Sequence, residues 1–329
     1  MMMGGWIQRA VMVLAAWFAP AGLAAAQTYQ PPQHTLPPPL VGNATASDVK
    51  LMAELGTAID RGRSARWTLA EHRRLDQALA GIGPGRAGVV DAFVVAVALD
   101  SDPVFGREAR EAGTVLTRRY AATGRSVTLA GSDGSSASAL PMGSPANLAA
   151  VLARIAEQMS PEDVLVLYTT SHGASVGIVY NDGDQGFGAI SGKRLAGMLD
   201  ELGIRNRLLL VSACYAGTFV APLASDTTAI LTAASATRTS FGCQADNDWT
   251  FFGDAAINHG LRKPQPFAAA AAEARALIGA WEKRGKLKPS QPQVSIGKRT
   301  GAWLGALEQT LPPDSDPVGR PAVSLLDGR

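Results

Sequence analysis

The chain has 329 residues and a nearly balanced charge, with 30 Lys and Arg against 28 Asp and Glu and a formal net charge of +2. This balance argues against a protein built mainly to bind nucleic acid, which usually carries a strong basic excess. With 47% hydrophobic and 18% charged residues, the chain is too apolar to be disordered and long enough for a large core. Its two cysteines, Cys214 and Cys243, exclude a disulfide-stapled scaffold and a multi-cysteine zinc site.

Residues 1–26 have the pattern of a secretory signal peptide. Arg9 precedes an apolar run, and the segment ends in three alanines, which suits a small-residue cleavage site. We expect cleavage before Gln27 and a periplasmic or secreted mature chain. Because the apolar run is about as long as a short membrane span, an uncleaved anchor is the alternative. No later stretch of the sequence is long and apolar enough to cross a bilayer, so we expect no stable membrane span after cleavage.

The segment before the main domain divides into two parts. Residues 27–46 hold five prolines, a composition typical of an extended linker. Residues 47–88 form a predicted N-terminal helical region, with apolar residues at helical spacing over 49–62 and 69–82. The sequence does not decide whether residues 27–87 act as an inhibitory pro-segment.

From Asp91 onward, apolar runs typical of β-strands alternate with helical segments. Continuous apolar runs are typical of parallel strands that are buried on both faces. The alternation predicts an α/β sandwich with a mostly parallel central sheet flanked by helices, over 89–310. We expect residues 311–329 to form a loose C-terminal tail. The predicted strands lie within 93–99, 125–131, 163–170, 207–213, 227–235 and 293–297, and the predicted helices within 106–121, 146–159, 191–203, 266–285 and 301–310.

A histidine and a cysteine follow the third and fourth predicted strands. His172 and Cys214 should therefore lie at the carboxyl edge of the sheet, where reactive groups collect in open α/β folds. An imidazole beside a thiol can generate the reactive thiolate. Gly173 has no side chain, so its N–H could pair with the Cys214 N–H as an oxyanion hole. A structural histidine and a small buried cysteine are the alternatives at this point.

Three segments strengthen the catalytic interpretation: YTTSHG at 168–173, VSACYAG at 211–217, and TAASATRTSFGC through FFGDAA within 232–256. Together they resemble the legumain-type cysteine peptidases, peptidase family C13, which share the caspase-like fold. The resemblance covers roughly residues 90–300. It implies that Cys214 is the nucleophile, that His172 is the general base or acid, and that the Gly173 and Cys214 amides form the oxyanion hole. The signal and the Ala/Arg/Gly-rich composition favour an exported member of bacterial type.

The resemblance also implies a primary pocket that holds an asparagine side chain. By position, the residues matching this pocket are Arg107, Ser212, Ser240 and Asp254. Ser212 stands where the plant and animal members have glutamate, which removes one charge. An uncompensated Arg107 beside Asp254 would then accept Asp or another polar group instead. The simpler interpretation of Arg107 is a charged helix face, because it lies in GREAREAG.

Two further features have simpler alternatives. A Cys214–Cys243 disulfide would remove the nucleophile, although the family pattern also has a cysteine at the second position. Asn181-Asp182-Gly183-Asp184 resembles part of a calcium loop, but it lacks the later glutamate and lies between two apolar runs, which favours a hairpin turn.

The sequence therefore predicts a cysteine-type endopeptidase that acts on polypeptides through a thioester, after Asn or another polar residue. No cofactor, no metal and no nucleic-acid partner are expected. A peptide ligase or transamidase that uses the same two residues, and a caspase-like binding scaffold without turnover, are the alternatives.

Overall fold

The computed structural model describes residues 44–131, 139–183 and 185–327, and the predicted signal peptide and most of the proline-rich linker lie outside them. A six-stranded sheet has the strand order β10-β9-β8-β4-β2-β3. Five strands are parallel, and β10 pairs antiparallel with β9 at one edge. The strands are β2 (Ala92–Ala98), β3 (Ser126–Leu129), β4 (Val164–Thr170), β8 (Asn206–Ser212), β9 (Thr228–Thr232) and β10 (Gln293–Ile296).

The two faces of this sheet support two separate hydrophobic layers. Side chains alternate along each strand, so that Val94 and Phe93 belong to opposite layers. The first layer packs against α3, α7 and α8, and the second packs against α4 and α5. This confirms the predicted α/β sandwich, with a mostly parallel central sheet flanked by helices, as a caspase-like fold requires. The helices are α1 (Ala46–Leu55), α2 (Ala65–Ala80), α3 (Pro103–Arg119), α4 (Pro145–Gln158), α5 (Gly192–Glu201), α6 (Val220–Leu223), α7 (Phe267–Arg284) and α8 (Gly301–Glu308).

A second, antiparallel sheet with the order β1-β7-β6-β5 follows the end of β4. The connection between β6 and β7 is the hairpin turn that the sequence predicts after Asn181. The first strand of this sheet comes from the N-terminal region, where the sequence predicts helix instead. The strands are β1 (Ala58–Asp60), β5 (Gly173–Ala174), β6 (Gly177–Asp182) and β7 (Gly186–Ile190).

The helix predicted over 49–62 is therefore wrong at its C-terminal end. α1 begins after Thr45, whose hydroxyl and Asp48 form a reciprocal capping box. It ends at Leu55 because Gly56 has a φ of +73°, a left-handed conformation that closes helices and favours glycine. The chain then turns into β1, which pairs with β7. The periodic apolar residues after Gly56 belong to this edge strand.

The N-terminal region packs on the main domain through buried polar contacts as well as apolar ones. Glu71 on α2 is 5% exposed, and its Oε1 accepts hydrogen bonds from the Met142 N–H and the Asn147 side-chain amide, both at 2.8 Å. Its Oε2 lies 2.7 Å from the Arg74 guanidinium. These contacts fix α2 beside the N-terminus of α4.

The expectation of a loose C-terminal tail is wrong for residues 311–327. The Val318 carbonyl accepts from the Trp249 indole N–H at 2.8 Å and from the Asn258 side-chain amide at 3.0 Å. The Ala322 N–H donates to Asp254 Oδ2 at 2.7 Å. Polar side chains of the domain thus bind the backbone of the tail. The composition of the tail does not reveal these contacts, because the side chains that make them lie elsewhere in the sequence. No helix in the described part of the chain is both long and apolar enough to cross a membrane.

Candidate active site

His172 and Cys214 follow neighbouring parallel strands, with Thr170 of β4 opposite Ser212 of β8 in the register. The segment after His172 lies directly against the cysteine. A Cβ atom on Gly173 would lie only 2.0 Å from the Cys214 carbonyl oxygen, so only glycine fits at this position. His172 and Cys214 are also close enough for each to shift the pKa of the other. The structure thus brings together the three residues predicted to carry the chemistry.

Cys214 is positioned by a tight turn after β8. Tyr215, the next residue, has a φ of +57°, which is uncommon for a residue with a side chain. Its N–H donates to the Arg238 carbonyl at 2.8 Å, and a short 3₁₀ helix, Ala216–Phe219, follows. The turn leaves the Cys214 sulfur half-buried beside the segment that contains Ser240.

The surroundings of Cys214 stabilise a thiolate. A hydrogen bond from Cys243 is the largest cause that lowers its pKa, to about 6, and it acts against burial, which raises the pKa. Ser240 contributes next, because its N–H donates to Sγ at 3.2 Å and its hydroxyl lies 3.6 Å away. The positive charge of His172 acts in the same direction.

Cys243 is a free thiol, as is Cys214, so the disulfide alternative is not present in this structure. The pKa of Cys243 is well above its ordinary value, first because of its hydrogen bond to Cys214 and second because of burial. Cys243 therefore remains protonated and donates to the sulfur of Cys214. The two thiols therefore have opposite roles, Cys214 as the thiolate and Cys243 as the hydrogen-bond donor.

His172 is oriented by α3. Its Nε2 lies 3.2 Å from Asp102 Oδ2, and the ring edge packs on Phe105 with 5.0 Å between the ring centroids. Burial lowers the pKa of His172, but the hydrogen bond to Asp102 and the charges of Asp100, Asp102 and Cys214 raise it above its ordinary value. The imidazolium is therefore favoured beside the Cys214 thiolate.

Sequence reasoning missed Asp102. The available signal was its place in LDSDP at 99–103, directly after β2 and therefore at the same carboxyl edge as His172. Asp102 is the N-cap residue of α3 but makes no capping hydrogen bond with its side chain. This leaves its carboxylate to contact the imidazole.

The Gly173 and Cys214 amides are the predicted donors of the oxyanion hole, and Gly173 lies directly against the Cys214 backbone. The Val179 N–H donates to the His172 carbonyl at 2.9 Å, so Gly173, opposite Ile178, occupies a non-hydrogen-bonded position of the β5–β6 pair. Its N–H therefore points away from β6. The Cys214 N–H donates to no backbone acceptor in residues 44–131, 139–183 and 185–327.

Of the predicted pocket residues, Ser240 lies beside the reactive sulfur, and Arg107 lies on α3, the helix that orients His172. Ser240 contacts the sulfur of Cys214, as described above. Arg107 begins the second turn of α3, and its guanidinium donates to the Ala245 and Asn247 carbonyls. Its Nε is buried, lies 3.9 Å from Asp248 Oδ1, and has no hydrogen-bond acceptor within the described part of the chain.

Ser212 and Asp254 have other partners. The Ser212 hydroxyl is buried and donates to Glu108 Oε1 at 2.8 Å, so a carboxylate does lie beside this position. Asp254 is fully buried in the π-helical segment Gly253–His259, where it binds the Asn258 amide and the tail. The expected arrangement of an uncompensated Arg107 beside Asp254 is therefore wrong: loop carbonyls bind Arg107, and the C-terminal tail occupies Asp254.

One group among the described residues has the composition of a metal site. Ligand atoms of Asp100, Asp102 and His172 lie within 4.8 Å of one another. A cation bound there would take the imidazole nitrogen that now faces Asp102. Because Asp102 already contacts this nitrogen and Asp100 Oδ1 accepts from the Asp102 N–H at 2.8 Å, we assign the two carboxylates to the orientation of His172.

Residues 146–268 match the model of the Peptidase C13 family. The match begins in α4 and ends at the start of α7, so it contains His172, Gly173, Cys214 and Ser240 but not Arg107. No curated protein matches the chain.

Proposed function

We propose that the chain, whose residues 146–268 match the Peptidase C13 family, is a cysteine-type endopeptidase that uses Cys214 and His172 as its catalytic dyad. The observation that carries the proposal is the pair of shifted pKa values at the end of two adjacent strands. The pKa of Cys214 is lowered to about 6, while that of His172 is raised. A thiolate and an imidazolium therefore coexist near neutral pH, as nucleophilic catalysis by cysteine requires.

The proposed reaction has two stages. The Cys214 thiolate attacks the scissile carbonyl carbon, and the Gly173 and Cys214 amides donate to the oxyanion that forms. His172 then protonates the leaving amine as the C–N bond breaks, which leaves a thioester on Cys214. In the second stage, water gives a proton to His172 and attacks the thioester, which releases the acid and restores the thiolate. No step of this reaction uses a metal or a cofactor.

The contact between Asp102 and His172 supports this sequence of proton transfers. With Nε2 facing the Asp102 carboxylate, the other ring nitrogen, Nδ1, is the one available to the substrate. A carboxylate at this position holds the ring in one orientation and stabilises the imidazolium, as the acidic residue of a catalytic triad does. Asp102 thus extends the proposed dyad to a third residue.

We further propose a preference for Asn or another polar residue before the scissile bond. The supporting observation is the Arg107 guanidinium, whose side chain is 32% exposed while it binds the Ala245 and Asn247 carbonyls and lies 3.9 Å from the Asp248 carboxylate. A partly exposed guanidinium can donate to a side-chain oxygen of the substrate, which an alanine side chain lacks.

Labelling with peptide electrophiles tests the enzyme assignment and the preference together. We expect one equivalent of probe on Cys214, with faster labelling by probes that carry Asn or Asp than by a probe with Ala at the position before the electrophile. The His172→Ala variant should be labelled much more slowly near neutral pH, because it loses a positive charge that stabilises the thiolate. If the unsubstituted chain is not labelled at any pH, the binding-scaffold alternative is correct instead. Products formed with an added amine distinguish ligation from hydrolysis.

We also propose that the protein is exported. Support comes from the signal-like segment 1–26, with its three alanines before Gln27. The protein recovered from the periplasm or medium should begin at Gln27 when its mass and N-terminal sequence are measured. Recovery of the full 329 residues with the membrane fraction would instead indicate an uncleaved anchor.

A further inference from the structure

Glu108 is a buried carboxylate that the proposed reaction does not use. It lies on α3, and its side chain is 0% exposed. Burial of a carboxylate is costly unless donors replace the lost water. The donors to Glu108 among the described residues are all neutral, namely three hydroxyls and one backbone amide. Within the described residues, Glu108 is therefore a buried acidic side chain that is not paired with a basic side chain.

The four donors come from three different segments of the chain. Glu108 Oε1 accepts from the hydroxyls of Tyr168, Thr170 and Ser212, the last two at 2.8 Å each. Glu108 Oε2 accepts from the Thr250 N–H, also at 2.8 Å. The pKa of Tyr168 is well above its ordinary value, first because of burial and second because of Glu108, so its hydroxyl remains a donor.

Two of these donors lie close to the reactive groups along the chain. Thr170 is two residues before His172, and Ser212 is two residues before Cys214, so one carboxylate oxygen joins the ends of β4 and β8. The other oxygen holds the segment that continues from Ser240 and Cys243. One side chain thus connects the elements that carry the imidazole, the sulfur and the donors to the sulfur.

Glu108 also connects these elements to α3, which orients the imidazole. Asp102 at the start of α3 contacts His172 Nε2, and Phe105 packs on the ring. The fit around the carboxylate is close, since a Cβ on Gly253 would lie 2.2 Å from Glu108 Oε2. We propose that Glu108 is a positioning residue that holds His172 and Cys214 in register across the carboxyl ends of β4 and β8. This role rests on the function proposed above.

The test compares Glu108→Gln with Glu111→Gln, the same substitution one turn further along α3. Glu111 is half-exposed and pairs with Arg262, away from the reactive groups. In Glu108→Gln, one oxygen becomes an NH₂ group, which cannot accept from the Thr250 N–H or from the three hydroxyls. In Glu108→Gln we expect kcat to fall by about 10- to 100-fold while KM stays within about 3-fold of its value in the unsubstituted chain. Misplacement of His172 and Cys214 slows the reaction more than it weakens substrate binding. Glu111→Gln should keep the kcat of the unsubstituted chain.

A second readout separates positioning from stability and does not need turnover. We expect the pH midpoint of Cys214 alkylation by iodoacetamide at about 6 when His172, Ser240 and Cys243 are in place, because their contacts lower the pKa of Cys214 to about 6. Loosening their arrangement should raise this midpoint in Glu108→Gln and leave it unchanged in Glu111→Gln. Loss of fold stability alone would lower the unfolding temperature without moving the midpoint.

If Glu108→Gln does not fold, Ser212→Ala removes only one of the four hydrogen bonds. It should lower kcat by about 3- to 10-fold and raise the midpoint in the same direction. An unchanged kcat and midpoint in the folded variants would overturn the positioning role. Absence of peptide turnover in the unsubstituted chain would overturn the proposed function instead, and the alkylation midpoint would still report on Glu108.

Discussion

Replacement of Cys214 by alanine is expected to abolish peptide hydrolysis, with a loss of about 10⁴-fold or more, because no other group can form the thioester. The sulfur is half-buried and bound mainly by polar neighbours, namely the Ser240 N–H and the Cys243 thiol. Its removal therefore leaves both hydrophobic layers intact, and the unfolding temperature should change by about 2 °C or less. Steady-state peptide cleavage and thermal unfolding measure the two quantities.

The matched control for this experiment is Cys243→Ala, which removes the other thiol and leaves the nucleophile. This variant should retain measurable hydrolysis at a pH high enough to ionise Cys214. Hydrolysis that survives Cys214→Ala at the original rate would show that the nucleophile is another residue and that the assignment of the dyad is wrong.

The pH dependence of Cys214 should move when Cys243 is replaced. In the unsubstituted chain, alkylation of Cys214 is expected to rise with pH about a midpoint near 6, because the pKa is lowered to about 6 and only the thiolate reacts. Cys243 is the largest cause of this lowering, so Cys243→Ala should shift the midpoint upward, towards the value of an ordinary thiol. Iodoacetamide modification followed by peptide mapping gives the midpoint directly.

Hydrolysis should follow a bell-shaped profile. The rate rises through about pH 6 as the Cys214 thiolate forms and falls above the raised pKa of His172 as the leaving amine loses its proton donor. In Cys243→Ala the acidic limb should move upward and the profile should narrow. Ser240→Ala is the control, because it keeps the backbone N–H that binds Sγ at 3.2 Å and should shift the midpoint less. Equal midpoints with and without Cys243 would exclude its role as donor.

The central sheet was predictable because its strands are encoded locally. β2 and β4 are buried at every position; β2 appears in the sequence as an unbroken apolar run, and β4 as an apolar run that ends in two threonines. The helices between them have apolar residues at helical spacing, and α4, which Ser144 caps and Pro145 begins, starts one residue before the predicted helix at 146–159. The rule that parallel strands bring their carboxyl ends to one edge then places His172 near Cys214 without any coordinates. The shared edge of His172 and Cys214 and the chemistry of these two side chains were therefore predictable from the residues alone.

The residues that contact or position His172 and Cys214 could not be predicted from the sequence in this way. In GREAREAG, Glu108 has the pattern of a solvated helix face, yet its partners lie 60, 62 and 104 positions further along the chain. The roles of Asp102, the Cys243 donor and the bound C-terminal tail depend on similarly distant contacts. Apolar periodicity is a property of neighbouring residues, whereas a buried hydrogen bond depends on which distant donors meet an acceptor. Only the tertiary structure determines which distant donors reach a buried acceptor. It therefore also determines the positions and charges of the reactive groups.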